Sequence, residues 1–293
     1  MAIVAGLAAV AAIGGAGWYF IFGKRRKLPK WSDCKHASCW AGPNANQRMM
    51  NILSPHMPDG VFKDRLNWMK GRKVDTAHVF LSNTADGEYA SPGYSVYGPT
   101  CSWQVNQTHV DVMKSRMKKL RDEGLAVVVW LFADDSSKFN KEAARNFDKY
   151  MSDIKAAGLL DMASIVVAGL ELNEYFSAAE ASTAPQKLPG EALTLSDYLT
   201  ITQVSSLTGA IRKVWSGKIG VHQTSNRVDL SPIGDIVFYQ VNPGMSAAQI
   251  EAEARRVVGL VGKPVNFFEL SRHEDRALCE AAFRGGAYAV GNW

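Results

Sequence analysis

Residues 125–135, LAVVVWLFADD, decide the fold. Nine consecutive apolar residues, rich in β-branched side chains, follow Gly124 and end at Asp134 and Asp135. The run is too short for a core helix and does not alternate, so it describes a strand with no solvent face. Strands buried on both sides belong to parallel sheets covered by helices.

The same signature recurs on both sides of this run. DTAHVFLSN (75–83) precedes it, and ASIVVAGLELNE (163–174), KIGVHQTS (218–225), DIVFYQVNPG (235–244), KPVNFFEL (263–270) and GGAYAVGNW (285–293) follow; HASCWAG (36–42) is a weaker first member. Helical patterns lie between most of them, at 60–70, 110–123, 141–157, 195–215, 246–260 and 276–284. In the first, Phe62, Leu66 and Met69 recur at i, i+4 and i+7; in the second, Val112, Met113, Met117 and Leu120 share one side. Eight such strands in an α/β alternation predict a (β/α)8 TIM barrel, and residues 34–293 approach the ~250 residues that such a barrel takes. An open doubly wound sheet is the alternative, but no Gly-rich phosphate fingerprint follows the early strands. The chain stops at Trp293 with no helix after the last strand, so the linker or first segment is expected to cover that flank.

The first 23 residues differ from the rest. Residues 2–23 carry no charge, close on Trp18, Tyr19, Phe20, Ile21 and Phe22, and run into Lys24, Arg25, Arg26 and Lys27. About 20 apolar residues cross a bilayer, and aromatics beside a basic stop are an interfacial anchor. A cleaved signal peptide is the competing reading, but it would carry its positive charge ahead of the apolar run; a buried core helix is the third, weakened by the glycines at 6, 14, 15 and 17. Residues 1–23 are therefore expected to be a single transmembrane helix, 24–33 a basic linker and 34–293 the barrel. The positive-inside bias places the barrel on the cytoplasmic, or virion-interior, side.

The chain of 293 residues is 47% hydrophobic and 21% charged, an ordinary globular composition. Its net charge of +5 comes partly from the linker. No basic stripe interleaved with aromatics points to nucleic acid. Four scattered cysteines suit neither a disulfide framework nor a zinc site. No cofactor is implied.

In a TIM barrel the chemistry sits at the C-terminal strand ends. Read in order, those ends carry Trp40, Asn83, Asp134 with Asp135, Asn173 with Glu174, His222 with Gln223, Tyr239 with Gln240, Glu269, and Asn292 with Trp293. A charge at the mouth of an apolar strand is costly unless it is used or paired. Two carboxylates facing each other across a barrel mouth suit glycoside hydrolysis, in which one protonates the leaving oxygen and the other attacks the anomeric carbon. Glu174 also fits a carboxylate that stabilises the next helix, and Glu269 an ion pair with Arg272. Asp134 and Asp135 read as helix caps, with Asp134 also a candidate substrate contact. His222 reads as a hydrogen-bonded rim residue rather than a metal ligand. Glu171, two residues before Asn173, is the chief rival to Glu174.

At this point the sequence resembles a family. GLELNEYF (169–176) has the Asn-Glu pair that ends strand four in the clan A, or 4/7, glycoside hydrolases, and KPVNFFELSR (263–272) resembles their strand-seven segment. EAAFRGGAYAVGNW (280–293) is similar to the closing segment of several such families. The resemblance implies Glu174 as acid/base and Glu269 as nucleophile. It also implies Asn173 on the sugar 2-hydroxyl, Tyr239 orienting Glu269, His222 lining the subsite, and Trp293 and Trp40 as stacking faces. Many members place an arginine at the end of strand two to support the nucleophile; here Asn83 stands there.

The reading is a membrane-anchored retaining glycoside hydrolase of the clan A type. Its substrate is a polysaccharide or oligosaccharide, such as a cell-wall or capsular glycan, and its second partner is the lipid bilayer through residues 2–23. The alternatives are a carbohydrate-binding barrel without turnover and an anchored structural protein of an envelope or virion.

Overall fold

The computed structural model describes residues 57–71, 76–81, 96, 104–132, 146–171, 195–224, 227–242, 244–270 and 276–291. In chain order the elements are α1 (Asp59–Gly71), β1 (Thr76–Phe80), α2 (Gln107–Asp122), β2 (Ala126–Trp130), α3 (Phe147–Ala156), β3 (Ile165–Val167), α4 (Leu195–Val214), β4 (Lys218–Gln223), β5 (Ile236–Gln240), α5 (Ala247–Val261), β6 (Val265–Phe268), α6 (Arg276–Arg284) and β7 (Ala289–Val290). The strands form one sheet of seven in sequential order β1 to β7, and every pairing is parallel. This is the expected α/β alternation. The weak first strand, 36–42, and the apolar segment 2–23 lie outside the described residues. Among the described residues no helix is long and apolar enough to cross a membrane.

Each strand presents alternate residues to two different cores, as the period of two requires. From β2, Val127 and Val129 pack outward against the helices, while Val128 and Trp130 pack inward. The outer core takes the apolar stripes of the helices. Phe62, Leu66 and Met69 of α1 are buried as the spacing predicts, whereas α2 turns Val110 inward with Met113, Met117 and Leu120, in place of Val112. Polar side chains set the helix starts. Asn106 Oδ1 accepts from the His109 N–H at 3.3 Å to begin α2. Ser246 and Gln249 form a reciprocal capping box that begins α5.

Two glycines fix spacings that no other residue permits. A Cβ on Gly285 would stand 2.3 Å from the Ala254 Cβ and 2.7 Å from the Glu251 carbonyl, so α5 and α6 touch there through backbone. On the inner face, a Cβ on Gly220 would meet the Phe238 ring at 2.6 Å. The bare strand at Gly220 is what lets that ring lie in the centre.

Candidate functional site at the C-terminal strand ends

The inner core is aromatic. Phe80, Trp130, Phe238 and Phe268 converge from four strands with Val128, Val167, Leu170 and Ile236. Trp130 stacks on Phe80 with centroids 5.2 Å apart and on Phe268 at 4.7 Å, and meets Phe238 edge-on at 5.2 Å. Its indole N–H donates to His78 Nδ1 at 3.0 Å, which satisfies a donor that burial would otherwise orphan. The centre is a packed plug, which leaves the rim above it as the candidate site.

His222, the inward residue near the end of β4, sits at the top of this plug. Its ring meets Trp130 at 5.6 Å and Phe268 at 5.4 Å, both edge-to-face, and is fully buried. Burial lowers its pKa from the ordinary 6.5 to about 3, because an imidazolium would lose its hydration without gaining a partner. The ring is therefore neutral. Its Nδ1 accepts the backbone N–H of Glu171 at 2.8 Å, so the proton sits on Nε2. Among the described residues, that Nε2 has no hydrogen-bond partner. His222 is the hydrogen-bonded residue that the sequence predicts, lying beneath the rim rather than open on it.

Two glutamates follow the inner-core strands in the same unusual backbone state. Glu171, after β3, has φ +49°, and Glu269, after β6, has φ +54°; no other non-glycine residue among those described has positive φ. A side chain in this region costs about 1–2 kcal/mol. The surrounding backbone supplies the restraint. The Leu170 N–H donates to the Phe132 carbonyl at 3.1 Å just before Glu171, and the Leu270 N–H donates to the Gly291 carbonyl at 2.8 Å just after Glu269. Both glutamates are half-buried. They end strands that stand three places apart in the sheet. Glu269 thus occupies the strand end that the sequence assigns to it.

Tyr239 has a different place from the one expected of it. It points to the outer face of β5, where its hydroxyl donates to Glu253 and accepts from Arg256 at 3.3 Å. Burial first, then the Glu253 carboxylate, push the phenol pKa far above its usual value. Burial also raises the Glu253 pKa, but hydrogen bonds from Arg256 and Tyr239 outweigh it and leave the carboxyl below its usual range. The network ties β5 to α5. An orienting role on Glu269 would require the ring on the opposite face. Glu174, Asn173, Trp293, Trp40 and Asp134 lie outside the described residues.

Two features of the rim were not singled out in the sequence. Trp130 is the centre of the plug, and only its place in an unbroken apolar run marks it. Beyond β4, Arg227 makes a two-pronged pair with Asp229 at 2.9 and 2.7 Å, nearly buried, and Gln223 donates to the same carboxylate at 3.1 Å. A spacing of Arg-x-Asp in a loop carries no signal of its own. Among the described residues, no group of three or more His, Cys, Asp or Glu side chains gathers as metal ligands.

No family model and no curated protein matches the chain. Solved structures do. A β-glucosidase from Thermotoga maritima, in complex with glucoimidazole, superposes with TM-score 0.54 at 11% identity over 85% of this chain and 83% of its own. The AHE enzyme from Alicyclobacillus herbarius gives 0.55 at 11% identity over 85% and 83%, and a second β-glucosidase, 1317, gives 0.51 at 12% over 75% and 73%. The fold is that of these barrels. At such identities the likeness concerns architecture, and it agrees with the resemblance read from the strand-four and strand-seven segments.

Proposed function

We propose that the chain is a retaining glycoside hydrolase, held to a membrane by residues 2–23, that cleaves a polysaccharide such as a cell-wall or capsular glycan. Glu269 serves as nucleophile and Glu174 as acid/base, with Asn173 on the 2-hydroxyl and Trp40, Asp134 and Trp293 contacting the sugar. Counting the strand that the sequence predicts at 36–42 as the first, β3 and β6 would be the fourth and seventh, the two positions that the resemblance assigns to the acid/base and the nucleophile. The observation that carries the reading is the placement of Glu269. A carboxylate stands at the C-terminal end of an inner-core strand, in a strained left-handed conformation, within a fold shared with β-glucosidases. Strain of this kind persists where function requires a fixed geometry.

The chemistry follows from the placement. Glu269, held on a rigid strand end, attacks the anomeric carbon while the facing acid protonates the leaving oxygen; water then hydrolyses the glycosyl-enzyme with the same acid acting as base. The aromatic plug keeps water from below the reacting centre. The replacement of the strand-two arginine by Asn83 favours one other reading, a barrel that binds glycan without turning it over.

Glu174→Gln and Glu269→Gln, assayed for hydrolysis and for glycan binding, separate the possibilities. The hydrolase reading expects turnover to fall by about 10²–10⁴-fold in each with binding retained. Wild-type binding without turnover supports the binder, and no glycan dependence at all supports an anchored structural protein. Membrane attachment is tested by deleting residues 2–23, which should release the chain from vesicles.

A further inference from the structure

We infer that His222 is the positioning residue that sets the relative geometry of the two carboxylate-bearing strand ends, by holding Glu171 through its backbone and abutting Glu269 through Phe268. The inference rests on the hydrolase reading for its consequence, but its structural content stands apart.

Three observations converge on this one side chain. The hydrogen bond from the Glu171 N–H to His222 Nδ1 is 2.8 Å and joins residues 51 apart in sequence, so it fastens the end of β3 to β4 beyond the point where strand pairing stops. Glu171 is one of the two left-handed non-glycine residues among those described. A residue with that backbone needs an external restraint, and the His222 acceptor supplies one at the amide itself. The same ring meets, edge-to-face at 5.4 Å, Phe268, the last residue of β6 and the direct neighbour of Glu269. One rigid, buried imidazole thus bridges the two strand ends on which the glutamates stand.

The chemistry of the ring suits this role and no proton-transfer role. An imidazole Nδ1 accepts a hydrogen bond only when unprotonated, and burial keeps it so across the ordinary pH range. With Nδ1 occupied by a backbone amide and both nitrogens buried, the ring has no site from which to exchange a proton with a sugar. What it offers is position. Glu174 lies three positions beyond Glu171 in the sequence, so the proposed acid/base follows closely on the residue that His222 holds. A misplacement of about 1 Å in a reacting group costs about 10²-fold in rate.

Two variants separate the hydrogen bond from the packing. His222→Asn places Oδ1 where Nδ1 stood and keeps the acceptor. His222→Phe keeps a ring against Phe268 and Trp130 but removes the acceptor. Both are compared with the wild-type full chain in detergent for kcat and KM on a panel of aryl β-glycosides, for Tm, and for the Glu171 amide resonance in protein labelled with ¹⁵N-glutamate. The inference expects His222→Phe to lower kcat by about 10²-fold with KM changed less than about threefold. It also expects His222→Asn to recover at least a tenth of the wild-type kcat. The Glu171 amide proton should lie downfield in the wild type and His222→Asn, and move upfield in His222→Phe. If His222→Phe keeps its kcat, or if Asn fails as badly as Phe, the ring acts only as packing and the inference is overturned. An unmoved Glu171 amide in His222→Phe overturns it on structural grounds. A wild type inert on every glycoside, with the amide shifting as expected, leaves the clamp standing and removes the hydrolase reading.

Discussion

Removing the indole of Trp130 tests whether the aromatic plug carries the rim. Trp130 is fully buried, stacks on Phe268 at 4.7 Å and on Phe80 at 5.2 Å, and gives its indole N–H to His78. Trp130→Phe retains an aromatic ring but loses the six-membered edge of the indole and withdraws the donor from His78 Nδ1. Loss of that donor from a buried acceptor costs about 1–3 kcal/mol, and the cavity left by the smaller ring adds about 1 kcal/mol. Trp130→Ala removes the ring altogether, for about 3–5 kcal/mol from volume alone plus the orphaned acceptor. Against a total stability of about 5–15 kcal/mol, the alanine variant is expected to be marginal and the phenylalanine variant folded. Urea unfolding followed by tyrosine and tryptophan fluorescence reads both, with the midpoint lowered and the slope unchanged. The activity of Trp130→Phe should fall as well, since Phe268 and His222 lean on the indole. A Trp130→Phe protein within 0.5 kcal/mol of wild type would refute the reasoning.

Other outcomes follow from the same packing. Gly220→Ala drives a Cβ to 2.6 Å from the Phe238 ring and should cost about 1–3 kcal/mol by overpacking, measured by the same unfolding curve. His222 binds a proton in the unfolded chain near 6.5 but in the folded one only near 3. Between those values the unfolded state therefore holds more protons and stability falls as pH drops, by about 1.4 kcal/mol per pH unit. His222→Asn should flatten that part of the stability profile. Tyr239→Phe removes a hydrogen bond to the Glu253 carboxylate and should cost about 1.5–3 kcal/mol while leaving kcat unchanged, because the hydroxyl lies on the outer face; a large fall in kcat at wild-type stability would place Tyr239 in the chemistry.

The sequence and the structure agree where hydrophobic periodicity is strong. Each of the seven described strands falls within its apolar run, and α1 and α6 begin and end within a residue of the pattern. Long apolar runs announce burial on both faces, but for the same reason they hide which residue faces which core. In IVFYQ of β5 the first three residues are all apolar, so Tyr239 reads equally well inward or outward; its pairing with Glu253 on α5 settles the matter in space. The phase error in α2 is of the same kind, since Val110 and Val112 are one hydrophobic residue to a periodicity and two faces to a helix. Glu269 was legible because a lone carboxylate interrupts an apolar strand. Its left-handed backbone was not, since glutamate carries no preference for that region, and neither was the bond between Glu171 and His222, which joins residues 51 positions apart.

The most direct test of the central claim is covalent trapping of the nucleophile. The chain is incubated with activated 2-deoxy-2-fluoro glycosides of several sugars, digested, and its peptides weighed. A retaining hydrolase that works through Glu269 yields one labelled peptide spanning residues 264–272, with the sugar on Glu269 and none in Glu269→Gln. Label on another carboxylate, or hydrolysis of the parent glycosides with inversion and no label at all, would contradict the account.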